Sequence, residues 1–258
     1  MSAAISAVHL LASETRKLRT VATTWVLTAI GWGLVVLSAL LPYLIPAMGS
    51  PFTGSAEQVA STIDAIGANS IIVMIVGILV VTTEFRHGTI GRTLQLVPSR
   101  MRVLGAKLAA GIVYSLAFVL TSLVIVTVIL FAMSIAGDAP LHWGAPVGTA
   151  LWQAFAGLAL TSVLGVAVGA LIRSQVIAIT VSLIWIFVVE QLVFGLRPSA
   201  GQWLPFQALN SVFLTAETRA QMPPNAQFLE PGVALAAFLG YVVVFTVVAA
   251  VLMRARDV

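Results

Sequence analysis

Long stretches without a single Asp, Glu, Lys or Arg constrain this chain more than anything else in it. Residues 20–56, 65–83, 108–137, 139–172 and 231–253 carry none. A sixth apolar run, from Val176 to about Gly195, is interrupted only by Glu190. A helix needs roughly 20 apolar residues to cross a hydrocarbon core about 30 Å thick. The chain of 258 residues is 60% hydrophobic and only 9% charged, whereas about a quarter of the residues of a soluble domain are charged. Period-2 alternation is missing from the apolar runs, which disfavours a lipid-facing β-barrel. Their interiors are rich in Gly and Ala, as expected where helices pack closely in lipid. The sequence therefore predicts an all-α integral membrane protein with six transmembrane helices, at about 22–46, 66–83, 108–135, 147–172, 176–195 and 231–253.

Orientation follows from the basic residues. Arg16, Lys17 and Arg19 precede the first span, and Arg86, Arg92, Arg100, Arg102 and Lys107 lie between the second and third. Arg173 sits between the fourth and fifth, and Arg254 and Arg256 follow the sixth. Only Arg197 and Arg219 fall on the other side, in the segment 196–230. This split of 11 to 2 predicts that both termini and the loop 84–107 are cytoplasmic, in a cell membrane of bacterial type. The first apolar run is much longer than the apolar region of a signal peptide, so a retained span is expected.

Several chemistries lack their residues. The two lysines, Lys17 and Lys107, lie in "ETRKLRT" and "LGAKLAA", outside any G-x-x-x-x-G-K-[ST] phosphate loop. Cysteine is absent and the three histidines are far apart in sequence, so neither a thiolate nor an H-E-x-x-H metal site is expected. No enzyme activity, metal or cofactor is expected in this chain, and no nucleic-acid partner. Its basic residues read as topology signals.

The charged stretch "TTEFRHGTIGRTLQLVPSRMRVLGAKL", residues 82–108, carries more information. Glu84 follows the second span directly. "HGTIGRTLQLVP" reads as a short helix with Thr89 as N-cap and Pro98 just past its end. Ile90, Leu94 and Val97 form one apolar stripe at i, i+4 and i+7. Gly88 and Gly91 weaken this helix in isolation, so it needs a docking surface. Glu84 is expected to hold the loop by pairing with an arginine such as Arg92 or Arg100, and "SRMRVLGAK" to return the chain as a basic collar against membrane lipids. The plain alternative is that these charges set topology and nothing more.

In order and type, Glu84, Phe85, Gly88, Thr89, Pro98, Arg100 and Lys107 resemble the loop after the second span of type-2 ABC transporter permeases. "LLASETRKLRTVATTW" is similar to the opening of that family, and the six spans match as well. The resemblance implies an N-terminal amphipathic interface helix over residues 1–20 and a short cytoplasmic coupling helix formed by Ile90, Leu94 and Val97. It implies a permease subunit of an ATP-driven exporter, paired with a second permease subunit as homodimer or heterodimer. Two copies of a cytoplasmic ATPase would bind ATP and Mg. It also implies that 196–230 forms an external gate, with Glu190, Trp203 and Phe206 as candidates for the substrate path or outer gate. From the residues alone, Glu190 lies about five residues from the outer end of its helix and reads first as a boundary carboxylate reaching outward and pairing with Arg197. The competing functions are a self-sufficient secondary transporter or channel, and a membrane scaffold or immunity protein.

Overall fold

We describe a computed structural model covering residues 2–45, 51–96, 99–215, 218–219, 222 and 227–255, with backbone alone at residues 2–7, 92, 94 and 96. Six stretches are long and apolar enough to cross a membrane: Ala22–Leu44, Ala56–Arg86, Arg100–Gly137, Ala145–Ile172, Gln175–Leu196 and Pro231–Ala255. Among the described residues all regular structure is helical.

Helix α1 (Ser2–Thr20) is joined to α2 (Ala22–Leu44) through the single extended residue Val21. The buried positions of α2 are Thr24, Thr28, Gly31, Val35 and Ala39. Their spacing of three and four places them on one helix face. The second spanning stretch is broken: α3 (Ala56–Asp64) passes through a 3₁₀ turn at Gly67–Asn69 into α4 (Ser70–Arg86). Ser55 starts α3 by accepting the N–H of Gln58 on its hydroxyl at 3.3 Å, an N-cap that satisfies one of the orphan donors of the first turn. The short helix α5 (Ile90–Leu96) leads to α6 (Arg100–Gly137), and α7 is Ala145–Ile172. The next stretch is composite: α8 (Gln175–Ile184), a π-helical segment at Trp185–Val189, and α9 (Glu190–Leu196). Short helices α10 (Pro198–Gly201) and α11 (Pro205–Val212) precede the last long helix, α12 (Pro231–Ala255).

Two span starts differ from the sequence reading by more than two residues, and α4 runs on to Arg86, which places Glu84 and Phe85 on the helix and not in the loop. The second span was expected from residue 66, but the continuous helix begins at Ser70, because the 3₁₀ turn interrupts it. The third was expected from residue 108, yet α6 already begins at Arg100 and runs for 38 residues. At 1.5 Å per residue α6 is about 57 Å long, well beyond a hydrocarbon core of about 30 Å. No Pro interrupts it, and the charges of its first two turns do not oppose helix formation. Lys107 is therefore a helical residue and not part of a loop.

The centre of the fold is the pairing of α4 with α7. Within the most apolar window of each stretch, 83% of residues in the second are buried, against 17% in the last. Backbones meet here because side chains are missing. A Cβ on Gly77 would lie 2.6 Å from the carbonyl oxygen of Ser162, and one on Gly169 would lie 2.8 Å from that of Ile78. Gly165 faces the backbone of Met74 and Gly77 in the same seam. Gly165 and Gly169 are thus a small-xxx-small pair that permits close helix approach. Around this axis α6 and α12 also pack on α7, while α2 packs on α6.

Gly77→Val and Gly165→Val are expected to destabilise the chain by at least about 1–3 kcal/mol through overpacking. Gly33→Val and Gly240→Val, where an added Cβ meets nothing within 4 Å, should leave it unchanged. Thermal unfolding of the purified protein in detergent separates the two pairs.

Candidate functional site

The short helix is positioned by the way α4 ends. Gly88 adopts a left-handed conformation, φ +66°, which favours glycine. The N–H of Thr89 donates to the carbonyl of Glu84 at 3.0 Å, and that of Gly88 to the carbonyl of Phe85 at 3.3 Å. This is a Schellman motif, and it turns the chain sharply off the end of α4. Thr89 immediately precedes α5, and its carbonyl accepts the N–H of Thr93 at 3.2 Å. Arg86 donates to the side chain of Gln175 at 3.4 Å, and the Arg173 guanidinium lies 5.3 Å from the centre of the Phe85 ring. The base of the loop is therefore also fastened to the turn between α7 and α8.

Beneath that turn is a closed cluster of four charges. Lys107 is fully buried on α6, Glu14 on α1 is 2% exposed, and Glu84 on α4 is 5% exposed. Lys107 Nζ lies 2.9 Å from Glu14 Oε2, 3.0 Å from Glu84 Oε1 and 3.1 Å from the carbonyl of Val80. All three ammonium donors are used. Lys17 Nζ, at the half-exposed rim, contacts Glu14 Oε1 at 2.6 Å and Glu84 Oε1 at 2.5 Å. The two acids and two bases alternate, so the cluster is neutral as a whole. Burying each ion separately costs several kcal/mol, and this alternation is what offsets it. Burial alone would lower the Lys17 pKa, but the hydrogen bonds to Glu14 and Glu84 outweigh it and hold the ammonium above the usual lysine value. Its contribution is complete below that usual value and is lost only as pH rises through the higher folded one, so it is fully present at neutral pH. One atom is left over: Glu84 Oε2 is buried with no hydrogen-bond partner.

This corrects the expected pairing of Glu84 with Arg92 or Arg100. Its partners are the chain's only two lysines, Lys17 on α1, 67 residues before it in sequence, and Lys107 on α6. Arg100 instead donates to the carbonyl of Met253 at 3.2 Å, fastening the start of α6 to the end of α12. Glu14 was missed altogether. The one signal for it was its place as the only acid before Glu57, three residues from Lys17.

Of the expected apolar stripe, Ile90 is 5% exposed and buried within the chain, so it anchors α5 and does not present a surface. The Leu94 side chain and Val97 lie outside the described residues. Gly91 faces open space and Gln95 is exposed.

At the opposite end of the fold, Glu190 is completely buried. Its Oε1 accepts from Trp185 Nε1 at 2.8 Å and from the N–H of Phe206 at 3.1 Å, and its Oε2 accepts from the N–H of Gln207 at 2.9 Å. The carboxylate thus caps the N-terminus of α11, where orphan N–H groups and the helix dipole favour negative charge. The boundary reading, with Glu190 reaching outward to Arg197, is overturned. A π-helical segment, Trp185–Val189, immediately precedes Glu190, and such segments are frequent at functional sites. Phe206 is buried, with its ring centre 6.3 Å from that of Phe238, whereas Trp203 is 47% exposed. The structure brings Glu190 and Phe206 together and leaves Trp203 apart. Among the described residues no group of three His, Asp or Glu could hold a metal ion.

Lys107→Met leaves the buried Glu14 and Glu84 to share the single ammonium of Lys17, with one negative charge uncompensated, and is expected to cost about 3–5 kcal/mol. Adding Glu14→Gln should recover part of this, with a coupling on the order of 2 kcal/mol in a double-mutant cycle read by thermal unfolding. Glu190→Ala orphans two buried N–H groups and should cost roughly 3 kcal/mol, from two charge-assisted bonds of about 1.5 kcal/mol or more each. A scan against protein-family models finds no match to this chain, and no curated protein matches it.

Proposed function

We propose that the chain is the permease subunit of an ATP-driven exporter of the ABC type, with α5 as its coupling helix. In this reading it pairs with a second permease subunit, and two cytoplasmic ATPase subunits bind ATP and Mg. The observation that carries the reading is α5 itself: a seven-residue helix set by a Schellman turn that hangs from the carbonyl of Glu84, a member of the buried ion cluster. A helix this short is not stable on its own. That cluster joins α1, α4 and α6, so a push on α5 would reach three helices at once. The composite stretch Gln175–Leu196 and the helices α10 and α11 support an outer gate, with Glu190 as the group that holds it together and Phe206 as part of its packing.

A variant that does not disturb the chain's own packing gives the sharpest test. Gly91→Trp adds a large side chain where nothing lies within 4 Å, so membrane insertion and thermal stability should be unchanged. Co-purification with an ATPase subunit expressed from the same cells should fall at least tenfold, and transport with it. Wild-type assembly and transport in Gly91→Trp would remove α5 from the coupling path. Transport by the lone chain in liposomes without nucleotide would establish a self-sufficient transporter instead.

The proposed orientation has its own test, since the chain contains no cysteine. Gln95→Cys should react with an impermeant maleimide only after cells are opened, and Asp138→Cys should react in intact cells. The opposite pattern would invert the topology and leave α5 unable to meet a cytoplasmic ATPase.

A further inference from the structure

We infer that the groove between α1, α2 and α6 is a binding site for one acyl chain of an anionic phospholipid, whose headgroup is held by Arg19 and Arg16. The groove is a cavity of about 240 Å³ that opens to the side of the helix bundle. Its walls are apolar faces of α2, with Trp25 and Trp32, and of α6, with Val113 and Ala117; α1 closes one end. The wall polar groups are turned on one another. Thr28 and Tyr114 share a hydrogen bond of 2.9 Å, and Trp32 Nε1 donates to the Thr121 hydroxyl at 3.1 Å. Trp25 Nε1 donates to the carbonyl of Arg19 at 2.8 Å. What remains facing the groove is hydrocarbon, which suits an alkyl chain and not a polar solute.

Two dimensions fix the class of occupant. From Ala110 to Thr121 the wall runs eleven residues along α6, about 16 Å, which is close to half of a hydrocarbon core about 30 Å thick. The groove is therefore one leaflet deep. Arg19 is the single charged residue of its lining, and its guanidinium has no hydrogen bond or ion pair among the described residues. It stands at the end closed by α1, where a headgroup would lie. Arg16, three residues earlier, shares that helix face and is likewise exposed. The acids of α1 and α4 nearby are taken up by Lys17 and Lys107, so the charge offered to a headgroup is positive. This site does not depend on the exporter reading.

The groove carries two of the chain's six tryptophans, which makes it readable. The full chain is reconstituted in phosphatidylcholine nanodiscs, into which either phosphatidylglycerol or phosphatidylcholine with dibrominated chains is titrated. The signal is the part of the tryptophan emission that Trp25→Phe and Trp32→Phe remove. Brominated phosphatidylglycerol is expected to quench it at a lower mole fraction than brominated phosphatidylcholine, by roughly fivefold for each arginine involved. Arg16→Gln with Arg19→Gln should abolish that preference while leaving quenching by either lipid. Ala117→Phe, which fills the groove from an exposed position, should reduce quenching of Trp32 by both. Equal quenching by the two lipids in the wild-type chain would overturn the proposal, as would a preference that survives loss of both arginines. Absence of any bromine quenching of Trp32 would also overturn it, showing that protein, such as a second copy of the chain, covers the groove.

Discussion

Four charges in a nearly uncharged protein hold its basic end together. Glu14, Lys17, Glu84 and Lys107 come from three helices, and each acid touches both lysines. In a low-dielectric interior none of them could stand alone. The consequence is geometric: α1 cannot leave the bundle without taking Glu14 from Lys107 and Lys17 from Glu84, and α4 cannot rotate without breaking two ion pairs. A purely apolar contact between these helices would be of similar strength in lipid along many registers. The ion cluster permits one.

The same reasoning explains the opposite end. Glu190 fixes α11 by giving its first N–H groups the acceptor they would otherwise lack, and it does so from a π-helical break in the fifth spanning stretch. Between these polar fixtures the α4–α7 seam is made of glycine against backbone, where close approach replaces side-chain volume. The protein is thus two polar locks joined by a thin, tightly packed axis. In the proposed exporter reading, α5 works from one lock and the outer gate is organised by the other.

What could be read from the sequence follows from the range of each interaction. The spanning stretches were legible because they depend on composition alone, and the short helix after Thr89 because it is set by neighbours within a few residues, whereas Gly88 was read only as weakening that helix and not as the turn that ends α4. The start of α6 was misread: basic residues suggested a loop, but charge does not end a helix, and no proline does so after Pro98. Glu84's partners were not legible because Lys17 and Lys107 reach it only once three helices have packed. The likeness of Arg92 and Arg100 to better partners was an effect of nearness in sequence. Glu190 misled for the same reason, since Arg197 is close along the chain but the N-terminus of α11 is closer in space. The rarity of lysine, two against eleven arginines, was the clue to the first of these. An ammonium with three donors fits between two carboxylates and a carbonyl, where a planar guanidinium would not.

The account turns on whether the ion cluster fixes α1 against the base of the loop that carries α5. The direct measurement is the distance between spin labels at Ser13→Cys on α1 and Gln95→Cys on α5, both exposed positions, by pulsed electron resonance of the reconstituted chain. A single narrow distribution is expected for the otherwise wild-type protein, broadening to several populations when Lys107→Met breaks the cluster. An unchanged narrow distribution in Lys107→Met would mean that α1 and the loop are held without the cluster, which would then lose its place at the centre of the proposed coupling path.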